Sequence, residues 1–212
     1  MLVVAGRSLT DFEQVLLGLV CAGPSTGYDL KHRFAATPLG VYQPSSGALY
    51  PALRRLEMRG LLRVERNTPG QASGARRRIV YHITEQGLAR HTAWVRQPVN
   101  PATVARDLPL HLMRFVLMEQ LVSRAEVLAF LADLRDALAA FLDGVESYAA
   151  AVGFDRRHPA LALDHGISIH AASLAWTKRT INFLASQEPR ISPDRERPSR
   201  PAGTSHPAAP SR

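Results

Sequence analysis

The residues of this chain whose types and spacing suit a definite chemistry are concentrated in one stretch, Gln43–Leu62, QPSSGALYPALRRLEMRGLL. Pro44 and Ser45 make a helix start, and Ser45 or Ser46 can cap the exposed N–H groups of the first turn. Leu49, Ala52, Leu53 and Leu56 then fall on one face at helical spacing. The opposite face carries Gly47, Pro51, Arg54 and Met58, flanked by Tyr50 and Arg55. That face has no apolar stripe to bury. Small residues near a helix N-terminus permit close backbone approach, the N-terminus attracts phosphate, and arginine pairs with phosphate or with guanine edges. A nucleic-acid groove is the surface such a face suits; a solvated basic face on an ordinary helix is the plain alternative.

Other chemistries find little support. No nucleophile, base and orienting group stand together. His158, His165 and His170 look clustered, but the five-residue step from His165 to His170 puts them on different helix faces. No metal site is therefore expected, and His170 reads as a hydrogen-bonded core histidine, with a pH-sensitive switch as the alternative. Gly70 and Gly74 do not precede a helix bearing Lys-Ser/Thr, so a phosphate-cradling loop is missing. Cys21 is the only cysteine, which leaves no internal disulfide and no cysteine-based zinc site. Trp94 and Trp176 suit the walls of a pocket for a small aromatic effector, with core packing as the plain alternative. No cofactor is expected, and the chain reads as a non-enzyme.

The elements that must position these residues follow from composition and pattern. With 212 residues, 46% hydrophobic and 21% charged, the chain has the make-up of a soluble globular protein of one or two domains. No run approaches the roughly 18 apolar residues of a membrane span, and MLVVAGRSLT has no basic region of a signal peptide. A cytoplasmic protein is expected. The net charge of +8 is unevenly placed. Residues 1–97 hold thirteen Lys and Arg against six Asp and Glu, residues 98–185 eight against nine, and residues 186–212 five against three. The basic excess belongs to the N-terminal part, the footprint of a polyanionic partner.

Thr10-Asp11-Phe12-Glu13 is a capping box that opens a first helix with Val15, Leu16, Leu19 and Val20 on its apolar side. Gly23-Pro24 ends it. Ser25-Thr26 start a second helix, with Thr26 and Asp29 as a weaker box, Tyr28, Leu30 and Phe34 as apolar bulk, and Lys31, His32 and Arg33 as charge. The stretch described above is the third helix, stopped by Gly60. The period then changes to two: Leu62 and Val64 alternate with Arg63 and Glu65, and Ile79, Tyr81 and Ile83 form the return strand. Asn67–Ala75 is the loop between them, with Arg76, Arg77 and Arg78 where loop meets strand. Thr84 caps a further helix through Leu88 and Trp94. Three helices, a two-stranded wing and a helix make a winged helix-turn-helix, in which the third helix enters the major groove and the wing reaches the adjacent backbone or minor groove. The candidate DNA-contacting residues are Tyr28, Lys31, Gln43, Ser45, Ser46, Tyr50, Arg54, Arg55, Arg76, Arg77 and Arg78.

Ser45–Glu57 followed by Gly60-Leu61-Leu62 resembles the signature of the PadR family of transcriptional regulators. Gly27-Tyr28-Asp29-Leu30 resembles that family's GY(D/E)L segment, and Tyr81-His82-Ile83-Thr84 with Gly87 its wing-to-helix end. Ile79-Val80 departs from the family, which often has aromatics there. The resemblance covers about residues 14–95. It implies sequence-specific binding of double-stranded DNA, and repression relieved by an effector or signal.

Asn100–Leu110 reads as a Pro-punctuated connection and His111–Val122 as a short helix. Ser123-Arg124-Ala125-Glu126 is another capping box, opening a helix in which Val127, Leu131, Leu134, Leu138, Phe141, Val145, Tyr148 and Val152 form a heptad seam. Leu163, Ile167, His170, Leu174, Thr177, Ile181 and Leu184 form a second, joined to the first around Gly153–Pro159 as an antiparallel pair. Val127, Leu131, Leu134, Leu138, Phe141, Val145, Tyr148, Leu174 and Ile181 are the candidate dimerisation residues; a hairpin packed on its own chain is the alternative. A long helical C-terminal domain also resembles the virulence-activator branch of the PadR family. The fold class is thus mainly α with a small β wing. Residues 1–97 form the winged helix-turn-helix, 98–186 a helical dimerisation domain, and 187–212 a disordered basic Pro-rich tail. The expected partners are a palindromic DNA operator, a second copy of the chain and a small aromatic effector, with no membrane. A competing reading makes the chain a helical interaction or small-molecule-sensing protein whose basic head contacts RNA or an acidic partner.

Overall fold

The computed structural model describes residues 8–36, 46–66, 79–153 and 157–187. The elements in chain order are α1 (Asp11–Cys21), β1 (Ser25–Thr26), α2 (Gly27–Ala36), α3 (Ser46–Met58), β2 (Leu62–Arg66), β3 (Ile79–Ile83), α4 (Glu85–Val95), a single 3-10 turn (Pro101–Thr103), α5 (Val104–Met118), α6 (Arg124–Val152) and α7 (Arg157–Ser186).

The predicted helix starts are set by local hydrogen bonds. At α1, Glu13 N–H donates to Thr10 Oγ1 (3.3 Å) while Thr10 N–H donates to the Glu13 carboxylate (3.0 Å), satisfying two donors the helix itself leaves open. Thr26 and Asp29 repeat the arrangement at α2, and Ser123 and Glu126 at α6. Gly60, at φ 70°, ends α3: Leu61 N–H donates to Leu56 O and Gly60 N–H to Glu57 O, a closure that requires the left-handed conformation glycine adopts without strain. Gly87 is needed for a different reason. A Cβ there would lie 2.1 Å from the Leu61 carbonyl oxygen, so only glycine lets the first turn of α4 pack on the turn after α3.

The sheet differs from the expected two-stranded wing. β2 and β3 pair antiparallel, Leu62 opposite Ile83 and Val64 opposite Tyr81, but β1 adds to the other side of β3, with Ser25 opposite Tyr81. Two residues carry no detectable period, so this third strand left no signal in the sequence. Leu16, Leu17, Leu30, Phe34, Leu49, Leu53 and Leu56 are all but fully buried where α1, α2 and α3 meet. The apolar core continues without a break through Val95, Leu108 and Met113 into Phe130, Leu131, Leu134 and Leu138 of α6.

The connection expected over residues 100–110 is mostly helix. α5 begins at Val104 and carries Pro109 in its second turn. Proline removes one N–H, the one that would bond the Ala105 carbonyl. His170 of α7 sits there instead, its Nε2 3.5 Å from Ala105 O and its Nδ1 2.7 Å from Gly166 O. A neutral imidazole has one N–H, and the shorter contact, from Nδ1 to Gly166 O within α7, takes it; Nε2 then has no proton for the Ala105 carbonyl, and α5 continues through Pro109 where it packs against α1 and α6.

α6 and α7, of 29 and 30 residues, lie together as a hairpin. Leu131, Leu134 and Leu138 are 0% exposed within one chain. Val127, Phe141, Val145, Leu174 and Ile181 are half-buried, and of the candidate dimerisation residues only Tyr148 stands exposed. Most of that seam is thus spent inside the chain, which the heptad pattern could not reveal because it registers an apolar face and not what covers it.

Candidate nucleic-acid interface

α3 turns Leu49, Ala52, Leu53 and Leu56 inward, each at most 1% exposed, and this fixes which residues look out: Gly47, Tyr50, Pro51, Arg54, Arg55 and Met58. Pro51 withholds the hydrogen bond that would close on the Gly47 carbonyl, and both residues face solvent, where water can serve that oxygen. Tyr50 is 52% exposed, yet its ring is seated: a Cβ on Gly27 would lie 2.6 Å from Tyr50 Cε1. The glycine at the start of α2 lets the phenol of α3 lie across it, so the ring presents its remaining surface from a fixed position.

The two arginines of α3 behave differently. Arg54 is exposed and makes no ion pair or hydrogen bond among the described residues. Arg55 donates its Nε to Glu13 Oε1 of α1 at 2.6 Å, with 4% of the Glu13 side chain exposed and 49% of that of Arg55. Burial alone would raise the Glu13 carboxyl; the Thr10 N–H and the Arg55 guanidinium outweigh it and hold the group below the ordinary glutamate value. Arg55 is thus a tether between α3 and the capping box of α1, a role that no local pattern discloses because its partner lies 42 residues away.

On α2, Tyr28 is 72% exposed, and His32, one turn on, lies with its ring 6.4 Å away, centroid to centroid. Sequence alone marks His32 as charge; its four-residue step from Tyr28 is the signal that the two rings meet. Lys31 is exposed on the same helix. Arg33, by contrast, turns back to donate to the Leu19 carbonyl at 3.0 Å. On the wing, Arg66 pairs with Glu57 of α3 (3.3 Å), and His82 Nε2 lies 2.9 Å from Glu65 Oε2 across the strands without hydrogen-bond geometry. Gln43, Ser45, Arg76, Arg77 and Arg78 lie outside the described residues; Ser46 opens α3, but its side chain is not among those described.

Neither tryptophan lines the cleft bounded by Arg96, Phe130 and Asp133 or the one bounded by Pro101, Phe141 and Val145. Trp94 is 6% exposed, stacked on His91 at 5.6 Å. Trp176 is half-buried, edge-on to Phe115 at 5.6 Å. Among the described residues no group of three or more His, Cys, Asp or Glu is placed to hold a metal ion, and no helix is long and apolar enough to cross a membrane.

Residues 16–93 match the model of the PadR-like family of transcriptional regulators. No protein of curated function matches the chain. Among solved structures, the chain is similar to Bacillus subtilis PadR in complex with operator DNA, at 17% identity over 82% of this chain and 99% of that one, with a TM-score of 0.40. It is similar to the PadR-like regulator BC1756 from Bacillus cereus at 21% identity, over 84% of this chain and 99% of that one, TM-score 0.35. The Vibrio cholerae virulence activator AphA matches at 17% identity over 82% and 98%, TM-score 0.33.

Proposed function

We propose that this chain, whose residues 16–93 match the model of the PadR-like family of transcriptional regulators, is a homodimeric, effector-responsive repressor that reads a double-stranded DNA operator with α3. The observation that carries the reading is the division of α3 into a sealed leucine face and an outward face offering Tyr50, Arg54, whose side chain has no partner among the described residues, and the small residues Gly47 and Ala48. A helix sealed on one side and bearing donors on the other fits a major groove, where a guanidinium pairs with the acceptor edge of guanine. Tyr28 and Lys31 of α2, with Arg76, Arg77 and Arg78, which precede β3 in the sequence, supply the phosphate contacts that set register without reading sequence.

The dimer reading rests on a face of α7 that the chain leaves bare. Leu161, Ile169 and Phe183 are 62%, 46% and 60% exposed, and with His165, Ala172 and the half-buried Trp176 they recur at helical steps of four and three. A 30-residue helix runs about 45 Å, enough to align a matching helix of a second copy. Two-fold pairing sets two α3 helices on the half-sites of a palindrome. The effector is a small planar aromatic, for which Trp176 is the more accessible wall. Such a regulator works where the chromosome is, in the cytoplasm.

The test is selection of bound sites from random duplex DNA by the full chain, followed by titration of the winning site and a scrambled duplex against single-stranded competitor. Enrichment of a palindromic site supports the reading. Equal affinity for single-stranded and duplex nucleic acid, with no enriched sequence, overturns it in favour of the RNA- or protein-contacting alternative.

A further inference from the structure

The helices that face DNA and the helices that follow them meet on a buried polar cluster with no part in the proposed DNA contacts. Arg114 of α5 is 4% exposed. Its Nη2 donates to the carbonyls of Val95, at 3.0 Å, and Gln97, where α4 ends. Its guanidinium lies 4.9 Å from the ring centroid of Phe130 on α6 and 5.8 Å from that of Trp94 on α4. One side chain thereby holds three helices, a cation on the carbonyl end of α4.

Two imidazoles are buried beside it. His91 of α4 is 0% exposed and stacked on Trp94, with Gly18 of α1 and Leu117 of α5 pressed around it. His111 of α5 is 4% exposed and edge-on to Phe130. Neither ring nitrogen of either histidine has a hydrogen-bond partner among the described residues, nor has Arg114 Nε. A buried polar atom without a partner is costly, and charging it there costs far more. The packing beside His91 leaves no room for a ligand: a methyl group on Gly18 would come within 2.7 Å of His91 Cε1. A proton needs no room.

We propose that this junction is an acid-operated release, in which protonation of His91 and His111 parts α4, and with it the DNA-facing helices, from α5 and α6. Among the described residues no element around His91 opposes the release with a carboxylate: α1 presents Gly18, α5 Leu117 and α4 Trp94, and burial is what acts on the ring. Around His111, Arg114 opposes a second positive charge, Asp107 on the same helix favours it, and α6 presents Phe130. Burial lowers both imidazoles to about 4 from the ordinary 6.5. The closed junction therefore has its full stability above about pH 6.5 and loses it as pH falls towards 4, because the open form binds the protons first. Between pH 7 and pH 5 the shift favours the open form by roughly twenty-fold for each histidine.

The experiment uses the full chain with Trp176→Phe, which leaves Trp94 as its one tryptophan. Trp94 emission and far-ultraviolet circular dichroism are followed from pH 7.5 to 4.5, with and without His91→Gln and His111→Gln. Neither readout involves DNA, so the result stands apart from the fate of the operator-binding reading. The expected result is a red shift of Trp94 emission below about pH 6 with helicity retained, absent from the double variant. An unchanged emission, or the same transition in the double variant, overturns the proposal. If the double variant does not fold, histidine C2–H resonances of the Trp176→Phe chain decide. Two imidazoles protonating together with the Trp94 transition support the release; eight that all titrate independently of it refute it.

Discussion

Arg55→Ala separates two roles that an exposed arginine on α3 can play, clamp on DNA or tether within the protein. Its Nε meets Glu13 Oε1 at 2.6 Å, and the other carboxylate oxygen already accepts the Thr10 N–H at 3.0 Å. A hydrogen bond between charged groups contributes about 1.5–3 kcal/mol, and the half-exposed guanidinium moves the expectation to the lower end, about 1–2 kcal/mol. For a chain above 200 residues that is a fall in Tm of about 3–6 °C. Glu13→Ala removes the same pair and also the capping box, adding about 1 kcal/mol. The double substitution should cost little more than Glu13→Ala alone, since the pair can be lost only once. The pH dependence has a definite sign. Glu13 is held below its ordinary value in the folded chain. Its contribution is therefore complete above the ordinary 4.5 and lost as pH falls through the lowered value, so wild type and Arg55→Ala should converge in acid. The assay is thermal unfolding of the four chains at pH 7 and below pH 4. Comparing variants at one pH cancels what the buried histidines do. If Arg55→Ala melts like wild type at pH 7 while losing affinity for every duplex alike, the tether argument is wrong and Arg55 is a phosphate contact.

Further outcomes are expected from substitutions elsewhere. Arg54→Ala should erode the preference for operator over scrambled duplex by about 1–3 kcal/mol, whereas neutralising Arg76, Arg77 and Arg78 should weaken both equally and make the salt slope shallower by roughly 0.9 per lost phosphate contact; titrations at several salt concentrations separate the two, and the reverse pattern would mean reader and clamp are exchanged. Leu134→Ala should destabilise the chain by about 3–5 kcal/mol in urea unfolding, because a side chain of 0% exposure leaves a cavity; in contrast, Ile169→Asp with Phe183→Asp should leave helicity intact and give a monomer by sedimentation, and a persisting dimer would put the interface elsewhere. Gly87→Ala should prevent stable folding, since a Cβ 2.1 Å from the Leu61 carbonyl oxygen cannot be accommodated without separating α4 from the turn after α3; a soluble variant with wild-type Tm would refute that packing.

What the sequence determined by itself is what depends on near neighbours in the chain. The capping boxes at Thr10 and Ser123, the glycine stop at Gly60 and the sealed leucine face of α3 were all legible, because each is a matter of spacing within a turn or two. The outward face with Tyr50 and Arg54 followed, since what a helix does not bury it shows. Tertiary structure decided the rest, because the partner in each case lies far along the chain or carries no pattern. Two residues of β1 become a strand only because β3 offers an open edge. Pro109 reads as a breaker until the packing of α5 against α1 and α6 carries the helix through it. Arg55 reads as a surface cation until the fold brings Glu13 to it. The heptad seam of α6 states that one face is apolar but not whether the chain or a second copy covers it, and packing gives Leu131, Leu134 and Leu138 to the chain's own core. The burial of His91, His111 and Arg114 left no trace in the sequence, since three polar residues on two helices reveal their shared environment only when α1, α4, α5 and α6 close around them.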